Sequence, residues 1–485
     1  MAGLGTMTTG TTPHVVVIGG GIAGLAAAFF LRDEPVRVTL LEGSPRLGGK
    51  LYASEIAGVP MDEGAEALLA RRPEGIALIT ATGLGGELVP AGVTSSAIYT
   101  RGAMRALPRR QFMGVPADID ELAATGIVSA GGVARARLES PVAGQPPDVS
   151  VTEYVGARLG AEIVDRLVDP LLGGVYAGRS ERLSFEATLA PLAAAARQHP
   201  TLTEAVTALL PTAPDNSAPD NSNGPAAVFV SLTTGIGALP DALAMASTAD
   251  LRVNAMVREL TRTEAGWRLT VGSAADPEYL VADAVIVAVP AAPASRLLSR
   301  TVPAASAPLS EIPYASMAII TLAYRAEDFP DTRSSGYLVP AVDGRAVKAV
   351  TFSTVKWPHL TGHAPAHVVR CSIGRAGEVP LLQREDQDLA SLAAAELADA
   401  TGITAAPIAH RVTRWGGALP QYNVGHLDRV ARIRAAVGEQ PGLAVAGAAY
   451  DGIGIPACIA TAQAAAQQVT GYLARGATSP FGDAR

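Results

Sequence analysis

The stretch HVVVIGGGIAGLAAAFFLRDEPVRVTLLEGSPRLGGK, residues 14–50, decides the fold of this 485-residue chain. An apolar strand at 15–18 leads into three glycines at the spacing G-x-G-x-x-G, namely Gly19, Gly21 and Gly24. The first allows a tight turn, the second a close approach of the backbone to a pyrophosphate, and the third close packing of helix on strand. An Ala-rich helix and a second strand follow, so the pattern predicts a βαβ unit that binds a dinucleotide.

An acidic residue ends the second strand at the position where a bound ribose needs an acceptor. Glu42 lies eighteen residues after Gly24, and a carboxylate there accepts hydrogen bonds from ribose hydroxyls. The start of the helix, at Gly20, Ile22 and Ala23, offers free N–H groups and a positive dipole end to phosphates. An unrelated glycine turn is the alternative, but strand, helix and acid stand in register and favour dinucleotide binding.

A second glycine pair indicates which dinucleotide is bound. The segment R-L-G-G-K places Gly48 and Gly49 just before Lys50 and shortly after Gly43. Such a loop after the second strand resembles flavoproteins of the amine oxidase type, in which it runs beside the FAD pyrophosphate. We therefore expect FAD rather than a nicotinamide cofactor.

A further glycine turn lies near the end of the chain. In YDGIGIPACIATAQAAAQQV, residues 450–469, Gly452 and Gly454 precede a long apolar helix. The glycines permit a close approach of the backbone, and a helix amino terminus can stabilise negative charge on a flavin. An ordinary C-terminal αβ unit is the alternative interpretation.

Composition excludes several classes of protein. The net charge is −7 and the pI about 5.6, and no basic stripe suggests a nucleic-acid partner. With only Cys371 and Cys458, we expect neither a disulfide framework nor a cysteine metal site. His359, His363 and His367 are four residues apart, but intervening prolines and a glycine break any helix, so we expect no metal site.

The amino-terminal residues bear on location. Residues 1–13 lack the basic and apolar regions of a signal peptide, and the acidic charge offers no basic amphipathic helix for a membrane surface. We expect a cytoplasmic protein that is at most peripheral to a membrane.

The pattern of helices and strands predicts an α/β chain. It combines a Rossmann-like FAD-binding domain with two insertions, a strand-rich (α+β) substrate-binding domain and an all-helical domain. The predicted parts are FAD-binding 14–90, 250–305 and 419–475; substrate-binding 91–110, 226–249 and 306–418; helical 111–210; and a disordered loop, 211–225, with a repeated A-P-D-N-S.

Several segments resemble the protoporphyrinogen/coproporphyrinogen oxidase family of FAD enzymes, over essentially the full length. They are VIGGGIAGL at 17–25 with LLEGSPRLGGK at 40–50, DEGAEALLARRP at 62–73, PLLGGVYAGRSERLS at 170–184 and WGGALPQYNVGH at 415–426. The first is shared with the wider flavin amine oxidase superfamily, whereas the last two are more specific.

The resemblance implies an FAD domain, a strand-rich domain and a helical domain. It also implies oxygen-dependent aromatisation of a porphyrinogen, in which six electrons leave in three flavin turnovers with release of hydrogen peroxide. Besides the first glycine turn, FAD contacts are implied at Glu42, Gly43, Lys50, Gly64, Ala65, Glu66 and Ala67, on the adenine side at Val257, and beside the isoalloxazine at Trp415, Ile453, Gly454 and Ile455.

Substrate contacts are expected from backbone and arginine groups. The sequence contains no compelling catalytic triad or carboxylate dyad, and we assign no catalytic residue, because hydride transfer to flavin needs orientation in a dry cleft. Gly173 and Gly174 could offer carbonyls to pyrrole N–H groups, or could simply form a turn between helices. Arg71 and Arg72 suit the propionates, since arginine binds carboxylates bidentately.

The two adjacent arginines and the expected absence of a membrane anchor favour coproporphyrinogen III, with four propionates, over protoporphyrinogen IX, with two. Another flavin amine oxidase or desaturase, and a non-catalytic FAD-binding scaffold, are the alternatives. The implied partners are a porphyrinogen, molecular oxygen and, transiently, a ferrochelatase.

Overall fold

The computed structural model describes residues 12–140, 148–210, 228–363 and 365–477. The strands are β1 (His14–Ile18), β2 (Arg37–Leu41), β3 (Ala53–Ile56), β4 (Val59–Asp62), β5 (Leu68–Leu69), β6 (Leu88–Pro90), β7 (Ala97–Thr100), β8 (Ala103–Ala106), β9 (Gln111–Phe112), β10 (Val115–Pro116), β11 (Phe229–Leu232), β12 (Asp250–Arg252), β13 (Val257–Thr263), β14 (Gly266–Gly272), β15 (Pro277–Ala282), β16 (Ala284–Val287), β17 (Tyr314–Arg325), β18 (Gly336–Leu338), β19 (Val347–Phe352), β20 (Ala366–Ile373), β21 (Ala409–Pro420) and β22 (Leu443–Val445).

The α-helices are α1 (Ile22–Phe30), α2 (Pro73–Ala81), α3 (Ile119–Thr125), α4 (Ala130–Ala136), α5 (Val151–Leu159), α6 (Ala161–Ile163), α7 (Asp169–Tyr176), α8 (Phe185–Thr188), α9 (Ala190–Ala196), α10 (Leu202–Leu209), α11 (Leu239–Ala246), α12 (Ala291–Leu298), α13 (Pro303–Ser310), α14 (Ser353–Lys356), α15 (Asp386–Thr401), α16 (His426–Gly438) and α17 (Ile455–Ala477).

A parallel sheet in the order β12-β2-β1-β16-β22 forms the centre of the first domain. In chain order this is 3-2-1-4-5, so consecutive strands are added outward on both sides of β1. The strand order reverses between β1 and β16, and ligands of open α/β sheets bind outside the carboxyl ends of the strands at such a point. The glycine turn at Gly19 lies there.

Both faces of this sheet are covered, which explains its continuous apolar strands. Val15, Val17 and Ile286 face a core shared with α1, α11 and α17. Val16 and Val285, on the other face, pack on the sheet β13-β14-β15 and on α12, α13 and α16.

A seven-stranded sheet, β21-β17-β20-β19-β18-β7-β8, forms the second domain. Alternate residues on one face, such as Val369 and Cys371 of β20, pack with Leu389 and Ala393 of α15. The opposite face turns toward the parallel sheet and the helices.

The helices from α3 to α10 surround a third core, which includes Leu167, Leu172 and Phe185. Ile98 of β7 and Tyr422, just after β21, complete this core. The helical part therefore packs against the seven-stranded sheet.

The predicted α/β class with an interrupted Rossmann-like domain is confirmed. One predicted boundary differs from the structure, since Val230, Leu232, Leu239 and Leu243 from the segment 226–249 lie in the α1 core rather than with the seven-stranded sheet. They are recruited because β11 pairs with β5 and β6 and α11 packs on α1. The predicted disordered loop, 211–225, lies outside the described residues.

Candidate cofactor and substrate site

The first glycine turn has the geometry of a phosphate-binding loop. Gly19 adopts φ +110°, and a β-carbon there would lie 2.7 Å from the Ala288 carbonyl oxygen. A β-carbon on Gly24 would overlap the Gly19 carbonyl oxygen. On Gly21 it would meet no atom of the described residues within 4 Å. Two glycines thus hold the turn together, and the third faces open space before α1, as a pyrophosphate requires.

Glu42 joins the glycine turn to the loop after β2. Its Oε2 accepts a hydrogen bond from Gly20 N–H (2.7 Å) and its Oε1 from Ser44 N–H (2.7 Å). Each oxygen keeps a second lone pair, so the carboxylate can still accept from a ribose. The fit to an adenosine ribose is therefore preserved.

The structure brings the predicted adenine side to this point. The Ala255 N–H donates to the Glu42 carbonyl at 2.7 Å, and Met256 packs directly on Gly43. Val257, which begins β13, is buried beside them. Residues more than 200 positions apart are thereby brought together.

Lys50 connects this end of the site to the second loop. Its carbonyl accepts from Ala65 N–H at 3.2 Å, and a β-carbon on Gly64 would overlap the same carbonyl oxygen. The indole N–H of Trp415 donates to the Glu63 carbonyl at 2.9 Å. Lys50, Gly64, Ala65 and Trp415 are thus brought together as the resemblance implies.

The Lys50 ammonium is a half-buried cation. Burial lowers its pKa, and the charge lies 6.0 Å from the centre of the Tyr314 ring. Among the described residues no carboxylate pairs with it. An anionic group of a cofactor would supply that partner, so this environment fits a flavin dinucleotide.

The C-terminal glycine turn is fixed by one tyrosine. The Tyr422 hydroxyl donates to the Ala448 carbonyl and accepts from Gly452 N–H, both at 2.7 Å. α17 then begins at Ile455, and the Cys458 N–H donates to the Gly454 carbonyl at 3.0 Å. The sequence did not single out Tyr422, although it lies within the P-Q-Y-N-V-G-H segment.

Ile453, Gly454 and Ile455 lie at the same end of the site as Lys50. Burial raises the pKa of the Cys458 thiol to about 11, and the Lys50 charge opposes that rise. The start of α17 therefore approaches Lys50, which places the predicted isoalloxazine contacts around one position.

Glu66 lies in a buried ion cluster with Lys356 and Arg370. Lys356 Nζ is 2.6 Å from one carboxylate oxygen, and Arg370 pairs with the other. Arg370 also donates to the Gly64 carbonyl at 2.6 Å. Burial opposes ionisation of Glu66, but the two cations outweigh it and lower its pKa to about 2.

Glu66 was predicted as an FAD contact, and the structure assigns its carboxylate to this cluster. The following residue, Ala67, packs near Trp357 in a separate small core. The cluster thus anchors the loop of Gly64 to the seven-stranded sheet. Both oxygens of the Glu66 carboxylate are engaged in it, by Lys356 and Arg370.

Asp62, four residues earlier, is satisfied differently. Its oxygens accept from the backbone N–H groups of Ile236 (3.0 Å) and Gly237 (2.8 Å). Burial is the largest influence on its carboxyl and raises the pKa to about 6. The neighbouring cavity of about 20 Å³, lined in part by Asp62 and Trp357, has room for one water and not for a cofactor.

Arg71 and Arg72 lie on the surface before α2. Both side chains are exposed, and Arg72 pairs with Glu74 at 2.7 Å. Gly75, in the first turn of α2, packs close to Pro456 at the start of α17. The arginines are therefore near the C-terminal turn in the fold, at the rim rather than the interior.

Gly173 and Gly174 are inside α7 and not in a turn between helices. The Gly173 carbonyl already accepts from Ala177 N–H at 3.0 Å, so one of its lone pairs is engaged. A β-carbon on Gly174 would approach Leu338 of β18 to 3.3 Å. The helix thus lies against the seven-stranded sheet at Gly174, whereas a β-carbon on Gly173 would meet no described atom within 4 Å.

The two most specific sequence segments contact each other. The Gln421 side-chain amide donates to the Tyr176 carbonyl at 2.7 Å, and Ser184 N–H donates to the Tyr422 carbonyl at 2.8 Å. His426 stacks on Tyr422 with ring centres 3.8 Å apart. Residues 170–184 and 415–426 therefore form one junction between the helical part and the C-terminal glycine turn.

Two further findings concern metals and membranes. Within residues 12–140, 148–210, 228–363 and 365–477, no three histidine, cysteine or acidic residues are grouped as metal ligands. No helix in those ranges is both long and apolar enough to cross a membrane.

Sequence reasoning missed the ion cluster and Tyr422. The one available signal was composition, because only three of the 38 basic residues are lysines, Lys50, Lys348 and Lys356. Lys50 and Lys356 are in the site described above. Nearly all basic residues of this chain are arginines, whereas these two positions of the site are lysines.

Comparison with known proteins gives consistent matches. A family model described as flavin containing amine oxidoreductase matches residues 22–470. A coproporphyrinogen III oxidase from Mycobacterium leprae is 38% identical, covering 96% of this chain and 100% of the relative. Another, from Bacillus subtilis, is 30% identical and covers 95% and 98%.

A solved structure also matches over nearly the whole chain. It is a proposed protoporphyrinogen oxidase from Exiguobacterium sp. 255-15, with a TM-score of 0.82 and 28% identity, covering 95% of this chain and 99% of that one.

Proposed function

The chain belongs to the flavin-containing amine oxidoreductase family and is an FAD-dependent oxidoreductase, and we propose that it oxidises coproporphyrinogen III to coproporphyrin III in haem biosynthesis. Six electrons and six protons leave the macrocycle in three two-electron steps. Molecular oxygen takes up the electrons and protons, giving one hydrogen peroxide per step. The junction of residues 170–184 with 415–426 carries the proposal, and the names of the relatives support it.

The residues that would hold FAD form a continuous path. The turn of Gly19, Gly21 and Gly24 would take the pyrophosphate, and Glu42 the ribose. Gly64, with its loop fixed by Arg370, would approach the flavin. When bound, FAD supplies a two-electron acceptor.

The chain's own residues position and enclose the reaction. Tyr422 holds the backbone of Gly452, so the start of α17 presents its N–H groups in a fixed direction. A helix amino terminus and the half-buried Lys50 ammonium both stabilise negative charge. No described side chain needs to act as an acid or base, because the cleft works by orientation and exclusion of water.

Protoporphyrinogen IX is the second candidate, since the Exiguobacterium structure carries that name. The two substrates differ in the number of propionates, so carboxylate recognition separates them. Arg71 and Arg72, at the rim near the start of α17, would attract a carboxylate. Contact with a ferrochelatase, and location in the cytoplasm, remain predictions.

The deciding experiment compares kcat/KM for the two porphyrinogens under air, with peroxide and flavin spectra recorded. We expect preference for coproporphyrinogen III, and Arg71→Ala and Arg72→Ala each to lower kcat/KM about threefold to tenfold, as for an exposed charge-assisted contact. Arg109→Ala, at another exposed arginine, is the matched control and should change nothing. Preference for protoporphyrinogen IX, or no peroxide with either substrate, would overturn the assignment.

A further inference from the structure

Lys348 is a buried lysine on the face of the seven-stranded sheet that turns toward the loop of Gly64. We call this loop, residues 63–67, the flavin loop. Its side chain is only 3% exposed, and the Ser372 hydroxyl is its hydrogen-bond partner. In β20, Val369 and Cys371 face the α15 core, so the alternating Arg370 and Ser372 point to the other side. Arg370 reaches Gly64 and Glu66 from that side, and Lys348 shares it.

A β-bulge lies at Lys348. Val347 pairs with Ile373 and Ala349 with Ser372, so Lys348 is an extra residue in β19. Bulges re-aim side chains and occur frequently beside active sites. Val347 packs in the α15 core, so alternation along β19 also places Lys348 on the opposite face, beside Ser372.

Lys348 lies between the flavin loop and α7. Arg370, toward the flavin loop, is two residues from Ser372, or about 7 Å along the strand. On the other side, Leu338 of β18 pairs with Ala349 and lies under Gly174. Lys348 is therefore on the part of the sheet that lies between the loop of Gly64 and α7.

Among the described residues, no carboxylate forms an ion pair with Lys348. Glu378 is the nearby acid, and it pairs with Arg179 (2.8 Å) and Arg375 (3.7 Å). Burial lowers the pKa of Lys348 to about 7, the Arg375 charge lowers it further and Glu378 opposes this. A buried ammonium with a single hydroxyl partner is costly unless a ligand completes it.

Lysine has one property that arginine lacks here. Its amine can lose the proton when buried and regain it beside a carboxylate, whereas a guanidinium stays charged. The chain uses lysine at only three positions, and the other two, Lys50 and Lys356, line the same region.

We propose that Lys348 is a substrate-binding residue that anchors a carboxylate of the macrocycle, with Ser372 orienting its ammonium. This rests on the proposed porphyrinogen substrate. It differs from the arginine hypothesis in placing one anionic contact deep in the cleft, against the sheet, rather than at the rim.

The test uses the FAD-loaded full chain carrying Lys348→Met, which keeps an unbranched side chain one atom shorter and removes the charge. We expect KM for coproporphyrinogen III, and the Kd of the product coproporphyrin III measured by flavin-independent porphyrin fluorescence, to rise about tenfold. kcat should fall much less, and the melting temperature should stay equal or rise, because an incompletely paired buried charge is removed.

Lys348→Arg, which retains the charge, should keep part of the affinity, and Lys348→Gln provides a second neutral variant should Lys348→Met fold poorly. Unchanged KM and Kd in a folded, flavin-containing neutral variant would overturn the proposal. Failure of the wild type to oxidise coproporphyrinogen III would instead contradict the proposed function, so the two failures are distinguishable.

Discussion

The two walls of the cleft are built by different chemistry. The parallel-sheet wall offers backbone, with Gly19 and Gly24 in tight contact and Gly21 facing open space. The seven-stranded-sheet wall offers two buried charged side chains: Arg370, which reaches the loop of Gly64, and Lys348, which bonds Ser372 on the same face. Backbone donors suit a cofactor that is always the same, whereas paired and unpaired charges can distinguish one anionic substrate from another.

The largest expected effect separates two glycines of the first wall. Gly24→Val should prevent folding or destabilise the chain by more than about 4 kcal/mol, because the β-carbon overlaps the Gly19 carbonyl. Gly21→Val should fold, since its extended backbone (φ −74°) accepts a side chain and its surroundings are open, yet it should lose FAD. Denaturant unfolding and flavin absorbance after purification measure both.

The two variants control for each other, because both place valine in the same glycine turn. A Gly21→Val protein that kept a full complement of flavin would show that the open space is not the pyrophosphate position. A Gly24→Val protein as stable as the wild type would contradict the packing argument.

The second prediction concerns the ion cluster of the seven-stranded-sheet wall. Arg370→Met leaves Glu66 with Lys356 alone and removes a donor from Gly64. Since removing one partner of a buried ion cluster leaves an uncompensated charge, we expect a loss of about 3–5 kcal/mol of unfolding free energy. The flavin should also dissociate more readily.

An exposed ion pair provides the matched control. Arg197→Met, which removes the partner of Glu186 at the surface, should cost about 0–1 kcal/mol. The double variant Glu66→Gln/Arg370→Met should recover part of the stability. Equal losses for Arg370→Met and Arg197→Met would mean that the cluster does not behave as buried.

The backbone wall was far easier to predict from sequence than the charged wall. The run 14–50 contains turn, helix and acid within a short range, and local spacing determines their geometry. The partners of Glu66 lie 290 and 304 residues away along the chain, so no spacing rule joins them. Segment 229–246 was misplaced for the same reason, because its pairing with β5 and β6 is a tertiary contact.

The substrate region was predictable only in part. The resemblance indicated α7 and the segment 415–426, but not that Gly173 is helical or that Tyr422 spans two backbone groups. Lys348 carried a weak signal through the rarity of lysine, and its partner Ser372 lies on another strand, 24 residues away, so no local pattern joins the two.

The smallest expected effect compares two acids of one loop, of which Asp62 is held by backbone donors and Glu66 by cations. The folded-state pKa of Asp62 is raised from 3.8 to about 6. Its contribution to stability is therefore complete below about pH 4 and is lost as the pH rises through 6, by about 3 kcal/mol in total. Glu66 has the opposite sign, because its folded-state pKa is lowered to about 2, so its contribution is present above about pH 4.5 and is lost on acidification.

Asp62→Asn isolates the first of these terms. The amide cannot ionise, so the stability of the variant relative to the wild type should improve by about 3 kcal/mol between pH 4 and pH 7. Urea unfolding at a series of pH values measures this difference, and Asp388→Asn, at an exposed acid in the first turn of α15, should give a nearly flat one. A flat difference for Asp62→Asn as well would mean that two backbone donors suffice to keep the buried carboxylate ionised. The parallel-sheet wall and the seven-stranded-sheet wall would then differ in the ligand that each recognises, and not in how each stabilises a buried charge.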